Sequence, residues 1–180
     1  MGRRLRYSVA MSLDGFIADA DGGYAWIPMD DEIDFDAFLS KIDGLVMGRG
    51  TWEVLVAEPE TRAAFASMDI FVVSTTLDPE TVPDVTVIGE DVAGRIAELK
   101  AGPGKDLWLF GGGVLFRSLL EAGLVDRVEV ALIPALLGSG VPLLPGSDAP
   151  AVLEFHSMET FPSGIALAKY DVAAASSGGD

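Results

Sequence analysis

The sequence predicts an α/β fold: a mostly parallel central sheet with helices on both faces, closed by antiparallel C-terminal strands. Three observations predict it. Short apolar runs alternate with helix-like segments through the first two thirds of the chain. Three of those runs stop at glycines or hydroxyl residues just where a helix or loop begins. The last third is mostly strand-like. The 180 residues, 49% hydrophobic, suit one domain with a sizeable core; a chain of this size buries roughly 70% of its unfolded surface. The domain is expected over 1–175, with 176–180 as a short polar tail that frays.

The elements follow in order. Leu5 to Leu13 reads as a strand, Asp14-Gly15 as a turn, and Phe16-Ile17-Ala18 as a further extended piece. Asp19 to Met29 is a loop holding Tyr24, Trp26 and Pro28. Asp31 to Ile42 reads as a helix, with Asp30, Asp31 and Glu32 near its N-terminus, where the dipole favours negative charge. Leu45-Val46-Met47 is a buried strand ending at Gly48, and Thr51 to Val56 begins another helix. Strands follow at Ile70 to Val73 and Val85 to Ile88, then a helix at Asp91 to Lys100. Leu107 to Phe110 is a strand and Leu115 to Ala122 a helix. Val128 to Ile133, Val152 to Met158 and Ile165 to Val172 are the late strands.

Composition excludes several functions. There is no cysteine, so disulfides, thiolate catalysis and cysteine metal sites are out, and a cytoplasmic protein is expected. No metal site is expected. The formal charge of −16, from 28 acidic and 12 basic residues, disfavours nucleic acid and anionic lipid as partners. Tyr7 to Leu13 is too short and polar for a signal or membrane segment. Arg6 stands where a myristoylation pattern wants Ser or Thr.

The segment Leu107 to Val130, LWLFGGGVLFRSLLEAGLVDRVEV, places three glycines between a strand and a helix. Glycines there let a phosphate approach the main chain at a helix N-terminus, or they make a tight turn with close helix–sheet packing. The pattern is neither a Rossmann fingerprint nor a Walker A loop. A second strand ends in Gly48-Arg49-Gly50-Thr51, where Arg49 can hold phosphate and Thr51 can cap the next helix. A third ends in Ser74-Thr75-Thr76. In an open α/β sheet, ligands bind beyond the carboxyl ends of the strands, so the three ends could meet one dinucleotide.

Taken in order, YSVAMSLDGFIA, DGLVMGRGTWEVL, VVSTTL and LWLFGGGVLFRSLLEAGLVDRVEVALIPALLGSGVPLL resemble the dihydrofolate reductase-like superfamily. They are most similar to the branch of the riboflavin-biosynthesis reductase domain, and the likeness covers nearly the whole chain. The resemblance implies a three-layer sandwich and an NADPH-dependent oxidoreductase. It implies that Gly48, Arg49 and Thr51 hold the cofactor phosphates and that Ser74 and Thr75 lie near the adenosine 2′-phosphate. Gly111, Gly112, Gly113, Val114 and Leu115 would pass under the pyrophosphate and nicotinamide, with a cis Gly111–Gly112 peptide. Ala10, with Val9 and Met11, would meet the carboxamide. The Asp-Asp/Asn-Pro-x-Leu stretch of the riboflavin reductases is absent after Thr51.

The expected reaction is hydride transfer to a pteridine- or aminopyrimidine-like heterocycle, or to another C=N or C=O substrate. The cofactor carries the reactivity and the protein orients it. Trp26 and Phe35 are expected to line the substrate pocket with Ile133, although both aromatics also suit the core. The proton donor is sought among Asp31, Glu32, Asp34 and Asp36, against bound water and against the reading of each as a solvated helix-face carboxylate. Asp14 reads as structural, and His156 is given no role. The alternative function is a nucleotide-binding sensor or scaffold without turnover. Members of the branch pair, so a homodimer is expected, with Val128 to Leu144 as its interface.

Overall fold

The computed structural model describes residues 2–147 and 150–173; the tail expected at 176–180 lies outside them. The elements run β1 (Leu5–Ser12), β2 (Phe16–Ala18), α1 (Phe35–Leu39), β3 (Ile42–Gly48), α2 (Arg49–Ala57), α3 (Pro59–Ala64) and β4 (Asp69–Val73). After a 3-10 turn at Pro79–Thr81 come β5 (Thr86–Ile88), α4 (Val92–Ala101), β6 (Asp106–Leu109) and α5 (Gly113–Glu121). The chain then passes through β7 (Arg127–Ile133), β8 (Val141–Pro142), β9 (Leu153–Thr160) and β10 (Ala166–Val172).

Eight strands form one sheet in the order β5-β4-β3-β6-β1-β7-β10-β9, and β2 pairs with β8 apart from it. From β5 to β7 every neighbouring pair is parallel. Strand β10 runs antiparallel to both β7 and β9. This is the sheet expected from the sequence. Among the described residues no helix is long and apolar enough to cross a membrane.

Side chains alternate across each strand, so the sheet feeds two cores. One holds Tyr7, Val46, Leu107 and Leu109 against Ile96 of α4 and Phe116 and Leu119 of α5. The other holds Leu45, Met47, Val72 and Trp108 against Trp52 and Leu55 of α2, Phe65, and the half-buried Phe38 and Leu39 of α1. No member of this second core comes from β1, β7 or β10. Helical cover on that face lies over the β4–β3–β6 side.

The helix expected over Asp31 to Ile42 is shorter. Asp34 caps α1 by accepting a hydrogen bond from Ala37 N at 2.8 Å, and Asp30 turns the chain before it by accepting from Glu32 N at 2.9 Å. Both are local bonds that Asp offers in competition with a helix interior. At the other end the Ser40 hydroxyl donates to Ala37 O, and Ile42 already belongs to β3. The acidic stretch is therefore mostly a turn. Helix α3 and strand β8 were not foreseen.

After β7 the chain turns back along the N-terminus of α5. Gly138 and Gly140 take positive φ angles of 73° and 154°. Gly113 is needed for a different reason: a β carbon there would lie 2.7 Å from Pro142 O and 2.8 Å from Pro145 Cδ. Backbone and a proline ring cannot move aside cheaply. We expect Gly113→Ala to lower stability by about 1–3 kcal/mol, the usual cost of overpacking. Urea denaturation measures it, and an unchanged midpoint would show that the turn yields.

Candidate functional site

Strands β3 and β6 are parallel neighbours, and Phe110 N donates to Val46 O at 2.8 Å beyond the end of β6. Their carboxyl ends therefore open side by side onto two nine-residue helices. The cap residues are Gly48 and Gly112, and neither makes a side-chain cap bond. The first N–H groups of both helices lack the side-chain acceptor that helix starts normally recruit. Gly111 and Gly112 have φ angles of 72° and 83°, a region that costs other residues energy. A β carbon on Gly111 would come to 3.3 Å from Thr51 Oγ1. The glycine run thus lies against the threonine of the second motif.

The expected cis Gly111–Gly112 peptide needs correction. No cis bond occurs among the described residues. Two successive left-handed glycines turn the chain from β6 into α5 instead.

Arg49 joins this edge to the next strand. Its Nη1 donates to Thr76 Oγ1 at 2.6 Å and its Nε to Glu53 Oε1 at 2.7 Å. Ser74 is buried, and its Oγ accepts from Thr76 N and Leu77 N at 3.2 and 3.0 Å. Thr75 is exposed beside it. Val114 is exposed, while Leu115 packs against the first core.

A cavity of about 380 Å³ lies over the face that the helices leave open, a size suited to a small ligand. Its floor is β1, β7 and β10, through Arg6, Ser8, Ala10, Glu129, Ala131, Leu167 and Lys169. Ser8, Glu129 and Lys169 face one another across the three strands. Phe35, Phe38 and Trp108 form one wall, with Phe38 and Trp108 edge-on at 4.9 Å, and Phe161 and Glu159 contribute to the lining from the β9–β10 side. Trp108 is held by its Nε1–H, which donates to Ser8 O at 2.9 Å.

Arg6 and Glu129 form a buried ion pair in this floor. Arg6 Nε and Nη2 both donate to Glu129 Oε1, at 2.9 and 2.7 Å. The guanidinium also sits 4.8 Å from the centre of the Phe38 ring. Sequence reasoning missed both residues. The signal was present: each is a charge between apolar or aromatic neighbours in a central strand, and such charges are buried only when paired.

Of the expected pocket residues, Phe35 lines the cavity and two do not. Trp26 donates from Nε1 to Gly23 O at 3.2 Å within its own loop. Ile133 is 2% exposed, sealed at the end of β7. Among the expected proton donors, Glu32 and Asp34 border the cavity, whereas Asp31 and Asp36 are exposed outside its lining. Asp34 is already engaged as a helix cap. Ala10 belongs to the cavity floor at the end nearest the glycine turn.

A mostly parallel sheet with helices on both faces and an antiparallel tail is a reductase-type, dihydrofolate reductase-like fold. The structure of dihydrofolate reductase from Enterococcus faecalis, complexed with NADP(H), superimposes with a TM-score of 0.65 at 19% identity, over 93% of this chain and 94% of that one. The chain belongs to the family of the RibD C-terminal domain, whose model matches residues 3–167. A protein of Shewanella sp. PV-4 named for riboflavin biosynthesis superimposes with a TM-score of 0.78 at 27% identity, over 97% of this chain and all (100%) of that one. The Bacillus subtilis (strain 168) protein YyaP, itself uncharacterized, is 30% identical over 178 residues, 93% of this chain and 94% of its own length.

Two carboxyl groups near the site are held below the usual carboxylate range. The Ser12 hydroxyl does so most for Asp14, followed by the Gly138 N–H; the Ser163 hydroxyl and then the Glu32 N–H do so for Asp30. Asp14 accepts from Ser12 Oγ at 2.6 Å and from Gly138 N at 2.7 Å, tying the first turn to the loop after β7. That is the structural role its turn position suggests. A lowered carboxyl stabilises the fold above the unfolded-state value of about 4, and the contribution disappears as pH falls through the folded value. We therefore expect Asp14→Asn to be less stable than the parent at neutral pH and equal to it in acid below that range. Denaturation midpoints across pH test this; a gap independent of pH would assign the loss to shape instead of charge.

Proposed function

We propose that the protein is an NADPH-dependent reductase that delivers hydride to a small, flat heterocycle, pteridine- or aminopyrimidine-like, or to a related C=N or C=O compound in the cavity. The observation that carries the reading is one continuous edge. Ser74 and Thr76 follow β4, Gly48 to Thr51 follow β3, Gly111 to Gly113 follow β6, and Ala10 lies near the end of β1. With strands roughly 4.8 Å apart, that edge runs about 14 Å and ends at the cavity floor.

The residues present fit a dinucleotide. Two glycine-started helices offer unpartnered N–H groups and positive dipole ends to phosphate. Arg49 and Thr51 stand beside them, and Ser74 and Thr75 lie at the outer end, where a 2′-phosphate would reach. Bound there, the reduced nicotinamide supplies the hydride. Ala10 would orient its carboxamide through the main chain. Phe35, Phe38 and Trp108 would hold the substrate ring and exclude water. Glu32 is the proposed proton donor at the cavity, since Asp34 is spent on its helix, with water as the other source. The open cavity beside Ala10 favours turnover over a sensor that merely binds nucleotide.

A cytoplasmic setting and a homodimer are proposed with this activity. Within the interface expected at Val128 to Leu144, Val128, Val130 and Ile133 are buried in the chain's own sheet, while Leu136 is exposed. Exposed apolar side chains also lie on the edge strand β9, where Phe155 is 66% exposed and Met158 is half exposed. Sedimentation is expected to give a dimer that Phe155→Glu converts to monomer. A parent protein that sediments only as monomer retires the pairing.

The cofactor assignment is tested by titrating NADPH and NADH while following nicotinamide fluorescence. We expect NADPH to bind and Arg49→Ala to weaken it roughly tenfold, the scale of one charge-assisted hydrogen bond. Binding of neither nucleotide would overturn the reductase reading.

A further inference from the structure

Glu129 is the most buried charged side chain among the described residues, at 1% exposure, yet it lines the cavity. Both hydrogen bonds from Arg6 arrive on one oxygen, Oε1. The other, Oε2, accepts none of the hydrogen bonds of the described residues. It is also not among their sealed, unpartnered side-chain atoms, which are Tyr7 Oη and Arg117 Nε. An oxygen that is neither bonded nor sealed opens on the space its side chain lines. Lys169 faces Glu129 across the β7–β10 ladder, but the ion-pair partner of Glu129 is Arg6.

Arg6 is itself fixed from three sides. It is bonded to Glu129, lies 3.6 Å from Asp106 Oδ2, and stacks on Phe38. The carboxylate therefore cannot swing away when the cavity fills. A ligand that covers Oε2 without a donor expels its water and leaves a buried acceptor unpaired, which is how a polar site rejects an isostere.

We propose that Glu129 determines the specificity of the cavity: its free oxygen accepts a hydrogen bond from an N–H group lying in the plane of a flat heterocycle, while Arg6 holds the carboxylate in place. The aromatic wall of Phe35, Phe38 and Trp108 favours a planar ring, and a donor in the ring plane can meet the floor edge-on. This deepens the reductase reading and rests on it in taking the cavity as the substrate pocket.

The test uses two uncharged probes of like shape, 2-aminopyrimidine and 2-methoxypyrimidine, with the whole protein. Ligand-observed NMR is expected to show the amino compound binding roughly tenfold or more tightly, and Glu129→Gln removing that preference. The variant breaks a buried ion pair, so its fold is checked by thermal melting. If it fails to fold, a crystal of the parent protein soaked in 2-aminopyrimidine decides, with the amino nitrogen expected about 3 Å from Oε2. Equal binding of the two probes, binding of neither, a preference kept by a folded Glu129→Gln, or an amino group placed elsewhere overturns the proposal. NADPH titrated into the same preparation separates the two readings. Cofactor binding without donor preference sinks only the role of Glu129; donor preference without cofactor binding sinks the reductase and leaves the carboxylate as a ligand anchor.

Discussion

A parallel sheet presents two apolar faces, and both need cover. Here α4 and α5 cover one face, while α1, α2 and α3 reach only part of the other. The remainder, over β1, β7 and β10, has no helix and carries Arg6, Ser8, Glu129 and Lys169 where the opposite face carries Tyr7, Val128 and Val130. The cavity and its charges thus have one cause. Sheet area that no helix covers can stay open only if its side chains tolerate water or a ligand, and a paired arginine and glutamate do. Removing either partner would strand a buried charge at a cost of roughly 3–5 kcal/mol, so the pair fixes the floor as firmly as an apolar core fixes the other face.

The three glycines of the β6–α5 turn satisfy three separate demands. Gly111 turns left-handed beside Thr51, Gly112 caps α5 in a left-handed conformation, and Gly113 lets the helix start beneath Pro142 and Pro145. The third packs the turn against the loop after β7. Of the two alternative reasons for the run, tight packing is met at Gly113, and phosphate approach at Gly111 and Gly112 belongs to the proposed cofactor site.

Much of this was legible in the sequence because it rests on local chemistry. Strand–helix alternation pointed to the sheet, and Gly48, Arg49 and Gly111 to Gly113 marked by residue type the strand ends that the structure sets side by side. The acidic stretch misled, because Asp30, Asp31 and Glu32 near an apolar pattern read as a helix start, whereas Asp30 and Asp34 spend their carboxylates on turn and cap. The cavity floor was hidden for a different reason. Ser8, Glu129 and Lys169 come together only through strand register between segments 121 and 40 residues apart, and no local pattern encodes that pairing. Trp26 was expected at the pocket as an aromatic wall, with Ile133 beside it, but residue type does not say which side of a strand or loop will face the cavity.

A net charge of −16 raises a difficulty for the proposed phosphate-bearing cofactor, and the construction of the two helix starts would answer it. At physiological salt, charges farther away than about 8 Å are largely screened, so the contest is decided by groups beside the phosphate. A lysine or arginine there is readily neutralised in so acidic a protein, as Arg49 is in part by Glu53. Backbone N–H groups at a helix start cannot be neutralised in this way, since they carry a dipole and no side-chain charge that a neighbouring carboxylate could pair. For an acidic chain, glycine turns at two adjacent helix starts would serve the proposed polyanionic cofactor better than a basic patch, and such helix starts follow β3 and β6.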